Sequence, residues 1–222
     1  PKATPPDRFW ESPDYLPGLE EARAWVPNLY TDLELWQASE QRGKLLFDIE
    51  VYPNYCLFAF KALATGKVVY LELRSGEKWD QRTVQKLHWI LHNFIIVNFN
   101  GLNYDFPVTT LALAGKSTEA MWDATCMLIQ MQLQPKAVYS KYKTKALKGV
   151  NQIDLIELTA LGPGLKVCAG RLHAPKLQDL PFKPGTILTE DQITILRRYC
   201  INDLDNTGIL HDATIKQIEL RE

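Results

Sequence analysis

An α/β protein, built as a mixed five-stranded sheet flanked by helices and preceded by an N-terminal extension, is predicted by three observations. Residues 44–73 read as a strand meander. Helical and apolar strand segments alternate after it. Thr189-Glu-Asp-Gln192 is a capping box that opens a long last helix. A meander feeding alternating helices and strands gives a mixed sheet with helices packed on its faces. The chain has 222 residues, 46% of them hydrophobic and 23% charged, enough for one large core.

The extension, residues 1–43, carries Phe9, Trp10, Tyr15, Trp25, Tyr30 and Trp36 among six prolines and shows no strict period. So many large aromatics argue for an ordered strap on the main domain rather than a solvated leader. The main domain is expected over residues 44–222. Residues 45–51 are apolar except at Asp48 and Glu50, the pattern of a buried strand with one functional face. Residues 56–63 and 67–73 are two further strands, with Thr65-Gly66 as a tight hairpin turn between them. Asp80 caps a helix bearing Val84, Leu87 and Leu91 at helical spacing. Residues 94–99 form a fourth, apolar strand. Helices follow over 104–114 and 117–134, with Gly115 stopping the first and Ser117 capping the second. Residues 135–150 form a lysine-rich insertion and residues 151–155 a fifth strand. The helix opened at Thr189 runs at least to Leu210.

Lys and Arg number 25 against 26 Asp and Glu, a net charge of −1. Contact with nucleic acid must then come from local patches or bound metal rather than a global basic excess. Cys56, Cys126, Cys168 and Cys200 are scattered without a Cys-x-x-Cys and fit reduced, mostly buried thiols of a cytoplasmic protein. No apolar run approaches ~20 residues, so no membrane association is expected. Residues 1–20 are rich in Pro and Asp rather than basic and then apolar, so no signal peptide is expected.

Asp48 and Glu50 stand two apart on a strand and so share one face. Their neighbours Leu45, Leu46, Phe47, Ile49 and Val51 make this a poor place for solvated carboxylates. Asp105 follows the fourth strand across an Asn100-Gly101 turn, with Tyr104 before it and Pro107 in the first turn of the next helix. A carboxylate at a strand's end and a helix's start is a usual site in α/β sheets. Taken alone, Asp105 is equally a charge that favours its helix N-terminus. Tyr199 and Asp203 lie four apart, on one helix face, where a buried Asp203 would be costly without a partner. Converging carboxylates repel one another. A fold tolerates them with a cation among them, and Mg²⁺ or Mn²⁺ suits their hard oxygens.

In this order, Asp48-x-Glu50, Asn100 through Tyr104-Asp105, and Tyr199-x-x-x-Asp203 resemble the three motifs of the DnaQ-like DEDD exonucleases of the ribonuclease H-like fold. The resemblance covers roughly residues 44–215. Tyr199 stands four before Asp203, and Arg198 occupies the place of the histidine in the other subclass, so the chain resembles the tyrosine (DEDDy) subclass. Phe47-Asp-Ile-Glu50, Asn100 to Tyr104-Asp-Phe-Pro107 and Tyr199 to Asn202-Asp203 are similar to proofreading domains of family-B DNA polymerases. The run from Leu165-Lys166 through Leu180-Pro-Phe182 to Thr189 is similar to the protein-primed phage members of that group.

The resemblance implies a metal-dependent 3′–5′ exonuclease that hydrolyses phosphodiester bonds at single-stranded or frayed DNA 3′ ends. It implies a proofreading role in DNA replication, linked to a DNA polymerase or beside one, in a phage-infected or bacterial cytoplasm. It also implies two Mg²⁺ or Mn²⁺ ions. Asp48 lies between them, Glu50 and Asp203 hold the nucleophile side, Asp105 supports the second ion through water, and Tyr199 orients the attacking water. Asn100 and Tyr104 would meet the substrate strand. A lysine between the second and third motifs approaches the scissile phosphate in that group; Lys176 is the candidate here and Lys183 the reserve.

Lys136, Lys141, Lys143, Lys145 and Lys148, interleaved with Tyr139 and Tyr142, fit two readings. They are a single-strand contact surface, lysines on phosphates and tyrosines on bases, or a solvated hairpin tip. His88 and His92, at i and i+4, have zinc spacing without an evident third ligand. Asp154 is either a partner that orients a metal ligand or a strand-end cap. Gly162-Pro-Gly164 reads as a turn, since no Gly-Lys-Ser/Thr follows. Two alternatives stay open. One is an exoribonuclease of the same type, since no residue visibly reads the 2′-hydroxyl. The other is a non-catalytic nucleic-acid-binding module, against which the four intact carboxylates speak.

Overall fold

A computed structural model describes residues 16–159 and 162–221. Among the described residues two helices precede the sheet, α1 (Leu19–Ala24) and α2 (Asp32–Glu40). Helix α2 escapes a search for hydrophobic period because it turns Leu33 and Trp36 to solvent. Its signal is instead the reciprocal capping box between Thr31 and Glu34. Main-chain bonds hold the extension to the main domain: Tyr30 N–H donates to the Val68 carbonyl at 3.0 Å and Val68 N–H to the Asn28 carbonyl at 2.8 Å. Trp25 packs against the core beneath the Arg198 guanidinium, 5.2 Å from its ring centre. Phe9, Trp10 and Tyr15 lie outside the described residues.

Strands β1 (Lys44–Tyr52), β2 (Tyr55–Ala62) and β3 (Val68–Arg74) form the expected antiparallel meander. The β2–β3 link is longer than a two-residue hairpin. It runs over residues 63–67, and Gly66, at a φ of 68°, sends its N–H to the Ala62 carbonyl. Helix α3 (Gln81–Asn93), capped by Asp80, leads to β4 (Ile95–Asn98), which runs parallel to β1. Strand β5 (Asn151–Asp154) adds parallel to β4, giving the order β3-β2-β1-β4-β5. The α/β class and the mixed five-stranded sheet are as predicted.

Strand β1 is central and covered on both faces, which is why its sequence is a nearly unbroken apolar run. Leu45, Phe47, Ile49 and Val51 share a core with α3 and α4 (Asp105–Leu113), where the Phe47 and Phe60 rings stack with centres 4.6 Å apart. The even residues face α8 (Glu190–Ala213), and Leu46 joins Leu57, Ile201 and Leu204 in a second core. Gly208 lets α8 come close, since a Cβ there would stand 3.3 Å from Leu46 Cδ1. The start of α8 carries the Thr189–Gln192 capping box. It is pinned by Asn54, whose side-chain amide exchanges two 2.9 Å bonds with the Leu188 backbone.

The helix predicted over residues 117–134 is broken. Helix α5 (Thr118–Thr125) widens into a π-helical turn, Cys126–Gln130, closed by the Met131 N–H on the Cys126 carbonyl at 3.0 Å. Helix α6 (Pro135–Tyr142) then starts afresh at Pro135, whose ring and missing N–H suit a first helical position and not an interior one. The lysine-rich stretch is therefore half helix, with Val138 buried and both Lys141 and Tyr142 donating to Asp123 Oδ2 at 2.6 Å. Helices α7 (Leu165–Arg171) and α9 (Ile215–Glu219) complete the fold. All four cysteines are unpaired. No helix among the described residues is long and apolar enough to cross a membrane.

Candidate metal centre

Strand β1 pairs with β4 only over residues 44–46, opposite residues 95–97. Beyond Leu46, β2 follows one side of β1 as far as Tyr52, while β4 leaves the other side. A crevice therefore opens at the carboxyl end of β4, where the chain connections on its two sides part, and α/β sheets hold ligands at such points. Asp48 and Glu50 lie on the half of β1 that β4 leaves open and point toward α8, which brings Tyr199, Cys200 and Asp203. Asp105 arrives from the turn after β4.

That turn is built for the purpose. Asn100 takes a left-handed φ of 65°, tolerable for asparagine. Gly101 passes so close to Asn98 that a Cβ would lie 2.4 Å from its side chain. The buried Asp154 carboxylate at the end of β5 accepts the Asn100 N–H at 2.6 Å and the Leu102 N–H at 3.3 Å. It also accepts the Ile156 N–H at 3.3 Å, capping the 3₁₀ turn Leu155–Leu158. Asp154 thus caps its own strand end and also fixes the backbone of the turn that leads to Asp105.

Glu50, Asp105 and Asp203 are buried, and Asp48 is partly so. Asp105 Oδ1 and Asp203 Oδ1 are enclosed with no hydrogen-bond partner among the described residues. Burial, then the charge of Asp203, pushes the Asp48 carboxyl up to about 7. Burial, then Asp48, Asp203 and Asp105, holds Glu50 well above the usual carboxylate range, with the Lys166 ammonium opposing. Asp105 is raised by burial, Asp48 and Asp154. Asp203 is raised by burial, against the pull of the Tyr199 hydroxyl and Lys166. Burial, then the Asp203 and Glu50 charges, raises the Tyr199 phenol as well. Ligand atoms of Asp48, Glu50 and Cys200 lie within 4.8 Å of one another, a group that could hold a metal ion, and its carboxylate oxygens are donors of the kind Mg²⁺ and Mn²⁺ take.

Asp48 and Glu50 are thus brought within ligand distance of each other, Asp105 and Asp203 are near enough for their charges to act on this pair, and Tyr199 is near enough to feel the Asp203, Glu50 and Asp48 charges. Asn100 contributes chiefly backbone, its side chain accepting from Asn103 at 2.8 Å. Tyr104 bonds Thr125 through its hydroxyl at 3.2 Å and, with Val51, Trp122, Ile129 and Leu180, lines a cleft of about 190 Å³ that reaches Glu50. Lys176 donates to Glu21 on α1 at 2.6 Å and shares a separate cleft with Tyr199. Lys183 is exposed, and Lys141 and Lys143 lie on and just after α6. The cation whose charge acts on Glu50 and Asp203 is Lys166 of α7, with Nζ 5.5 Å from the Tyr199 ring centre. Sequence reasoning passed over Lys166 because nothing in its spacing marks it; the Leu165-Lys166 run was the available signal. It also treated Cys200 as an apolar neighbour, although its Sγ lies 3.8 Å from Asp48 Oδ2. His92 has both ring nitrogens at backbone carbonyls, of His88 at 2.8 Å and Lys148 at 3.1 Å, and gathers no further ligand among the described residues. No protein-family model, curated protein or solved structure matches the chain.

Proposed function

We propose that the chain is a metal-dependent 3′–5′ exonuclease of the DnaQ-like tyrosine subclass, on a ribonuclease H-like sheet, acting on single-stranded or frayed DNA 3′ ends. The observation that carries this reading is the pairing of Asp48 and Glu50 in one ligand cluster, with the Asp105 and Asp203 charges acting on it and a buried oxygen of each left without a partner among the described residues. Two Mg²⁺ or Mn²⁺ ions held by these four would make water nucleophilic and stabilise negative charge on the phosphate and the leaving oxygen. The protein's own residues supply the rest. The carboxylates must give up the protons that burial and mutual repulsion favour, so loading is easier as pH rises toward and above 7. Tyr199 keeps its proton, because burial and Asp203 oppose its ionisation, and it orients water as a hydrogen-bonding group rather than acting as a base. Lys166 offers a cation for a phosphate oxygen. The cleft beside Glu50, with Tyr104 and Trp122 in its walls, is suited to a flat base, which requires an unpaired terminal nucleotide. The resemblance to polymerase proofreading domains supports DNA as substrate and a DNA polymerase as the linked or separate partner.

The test is degradation of a 5′-labelled single-stranded DNA oligonucleotide with Mg²⁺ or Mn²⁺, beside Asp48→Ala and an RNA oligonucleotide. A metal-dependent ladder shortened from the 3′ end, lost in Asp48→Ala and weak on RNA, is expected. Equal activity in Asp48→Ala and wild type, or no degradation by wild type with either metal, overturns the proposal.

A further inference from the structure

We propose that this centre also takes a thiophilic divalent cation, Zn²⁺ as the type case, with Cys200 as a thiolate ligand beside Asp48 and Glu50. Cys200 stands between Tyr199 and Asp203 in the sequence and is fully buried, its thiol directed at Asp48 Oδ2 from 3.8 Å. The Cys200 sulfur, a carboxylate oxygen of Asp48 and one of Glu50 all lie within 4.8 Å of one another. With Zn–S near 2.3 Å and Zn–O of about 2.0–2.2 Å, ligands on one tetrahedral zinc stand roughly 3.3–3.7 Å apart, so side-chain shifts of about 1 Å close the set. A thiol alone would be a weak indication. The second observation is that Asp203, three residues along the same helix, and Asp105 each bury a carboxylate oxygen with no partner among the described residues. Both charges act on Cys200 from beyond the three-residue cluster.

Cys200 shares an apolar core with Leu196, Ile201 and Leu204 while its sulfur meets the Asp48 carboxylate. Sulfur matters to the choice of ion. Mg²⁺ takes oxygen ligands, whereas thiolates select softer ions such as Zn²⁺ and, in its place, Co²⁺. On binding, the Cys200 thiol releases its proton to solvent, and the ion's positive charge takes the proton's place among the carboxylates. One consequence rests on the exonuclease reading. Zn²⁺ would draw Asp48 into a mixed sulfur–oxygen set, away from the paired hard ions, and so inhibit hydrolysis at concentrations far below those of Mg²⁺.

The test uses metal-free full-length chain titrated with Co²⁺ and followed by absorption, since sulfur-to-cobalt charge transfer reports a thiolate ligand without any nuclease assay. A near-ultraviolet band saturating at one Co²⁺ per chain and bleached by Zn²⁺ is expected. The band should be absent in Cys200→Ser and Cys200→Ala, each checked for folding by circular dichroism, and kept in Cys126→Ser. Zinc affinity in Cys200→Ser should fall by at least about tenfold, the scale on which disturbance of a metal's surroundings is felt. No band in the wild type, or a band surviving in both Cys200 variants, overturns the proposal. A Cys200-dependent band without DNA hydrolysis in Mg²⁺ would instead sink the exonuclease reading and leave this one standing.

Discussion

Phe47 and Asp48 are neighbours on one strand with opposite surroundings. Phe47 stacks between Phe60 and Phe106, with ring centres 4.6 and 6.1 Å away, in a wholly apolar core. Asp48 looks the other way, toward the charge of Asp203 and the thiol of Cys200. The odd residues of β1 hold one core, whereas on the other face Asp48 and Glu50, flanked by the apolar Leu46 and Tyr52, store repulsion that burial makes worse. The carboxylate face therefore works against the fold of the metal-free chain wherever its groups are ionised, and a bound cation would relieve that repulsion.

The largest effects should separate these two faces at adjacent positions. Asp48→Ala should lower DNA hydrolysis by on the order of 10³-fold or more while the chain stays folded. Phe47→Ala should cost about 3–5 kcal/mol of stability, read from denaturant midpoints, because a large cavity opens in a close-packed core. A Phe47→Ala chain as stable as wild type would break the comparison.

The next effect is on pH dependence. In chelator, the folded-state pKa of Asp48 is raised from 3.8 to about 7, and Glu50, Asp105 and Asp203 move the same way. The protonated form thus favours the fold. This contribution is complete below about pH 4 and is lost as pH rises through about 7, up to roughly 4 kcal/mol for Asp48. Exposed carboxylates with lowered values, such as Glu34 at about 2, titrate below this window. Metal-free stability should therefore fall between pH 5 and 8. Asp48→Asn should flatten the fall, and Mn²⁺ should reverse it in wild type. A metal-free stability that rises over this interval would contradict the arrangement.

The smallest effect concerns the turn that delivers Asp105. Asp154→Ala removes the acceptor of the Asn100 and Leu102 amides, at a cost of about 1–3 kcal/mol. Because the turn then loosens, kcat should drop by about tenfold with KM little changed, and Asp154→Asn, which keeps one acceptor oxygen, should lie between. Equal loss in kcat and in substrate affinity would assign Asp154 to the strand rather than to the turn.

Much of this was legible in the sequence, for local reasons. Period-two alternation placed Asp48 and Glu50 on one face of a buried strand, and the Thr189–Gln192 box marked the helix that carries Tyr199 and Asp203. Helix α2 was hidden because its apolar residues face outward, leaving only its cap as a signal. The π turn at Cys126 left no mark in the residue spacing, and Pro135 stands where the next helix begins. Lys166 and Cys200 were missed for a different reason. Which lysine approaches a carboxylate, and which cysteine faces one, is decided by how α7 and α8 lie on the sheet, and residue spacing carries no record of it.

The decisive measurement is the number of Mn²⁺ ions bound per chain, obtained by electron paramagnetic resonance of the free ion at pH 7.5, in wild type and in Asp48→Asn. Two ions per wild-type chain, with at least one lost in Asp48→Asn, are predicted from the shared carboxylate set. Wild-type chain that binds no Mn²⁺, or Asp48→Asn that binds as many ions as wild type, would contradict a metal centre at this crevice.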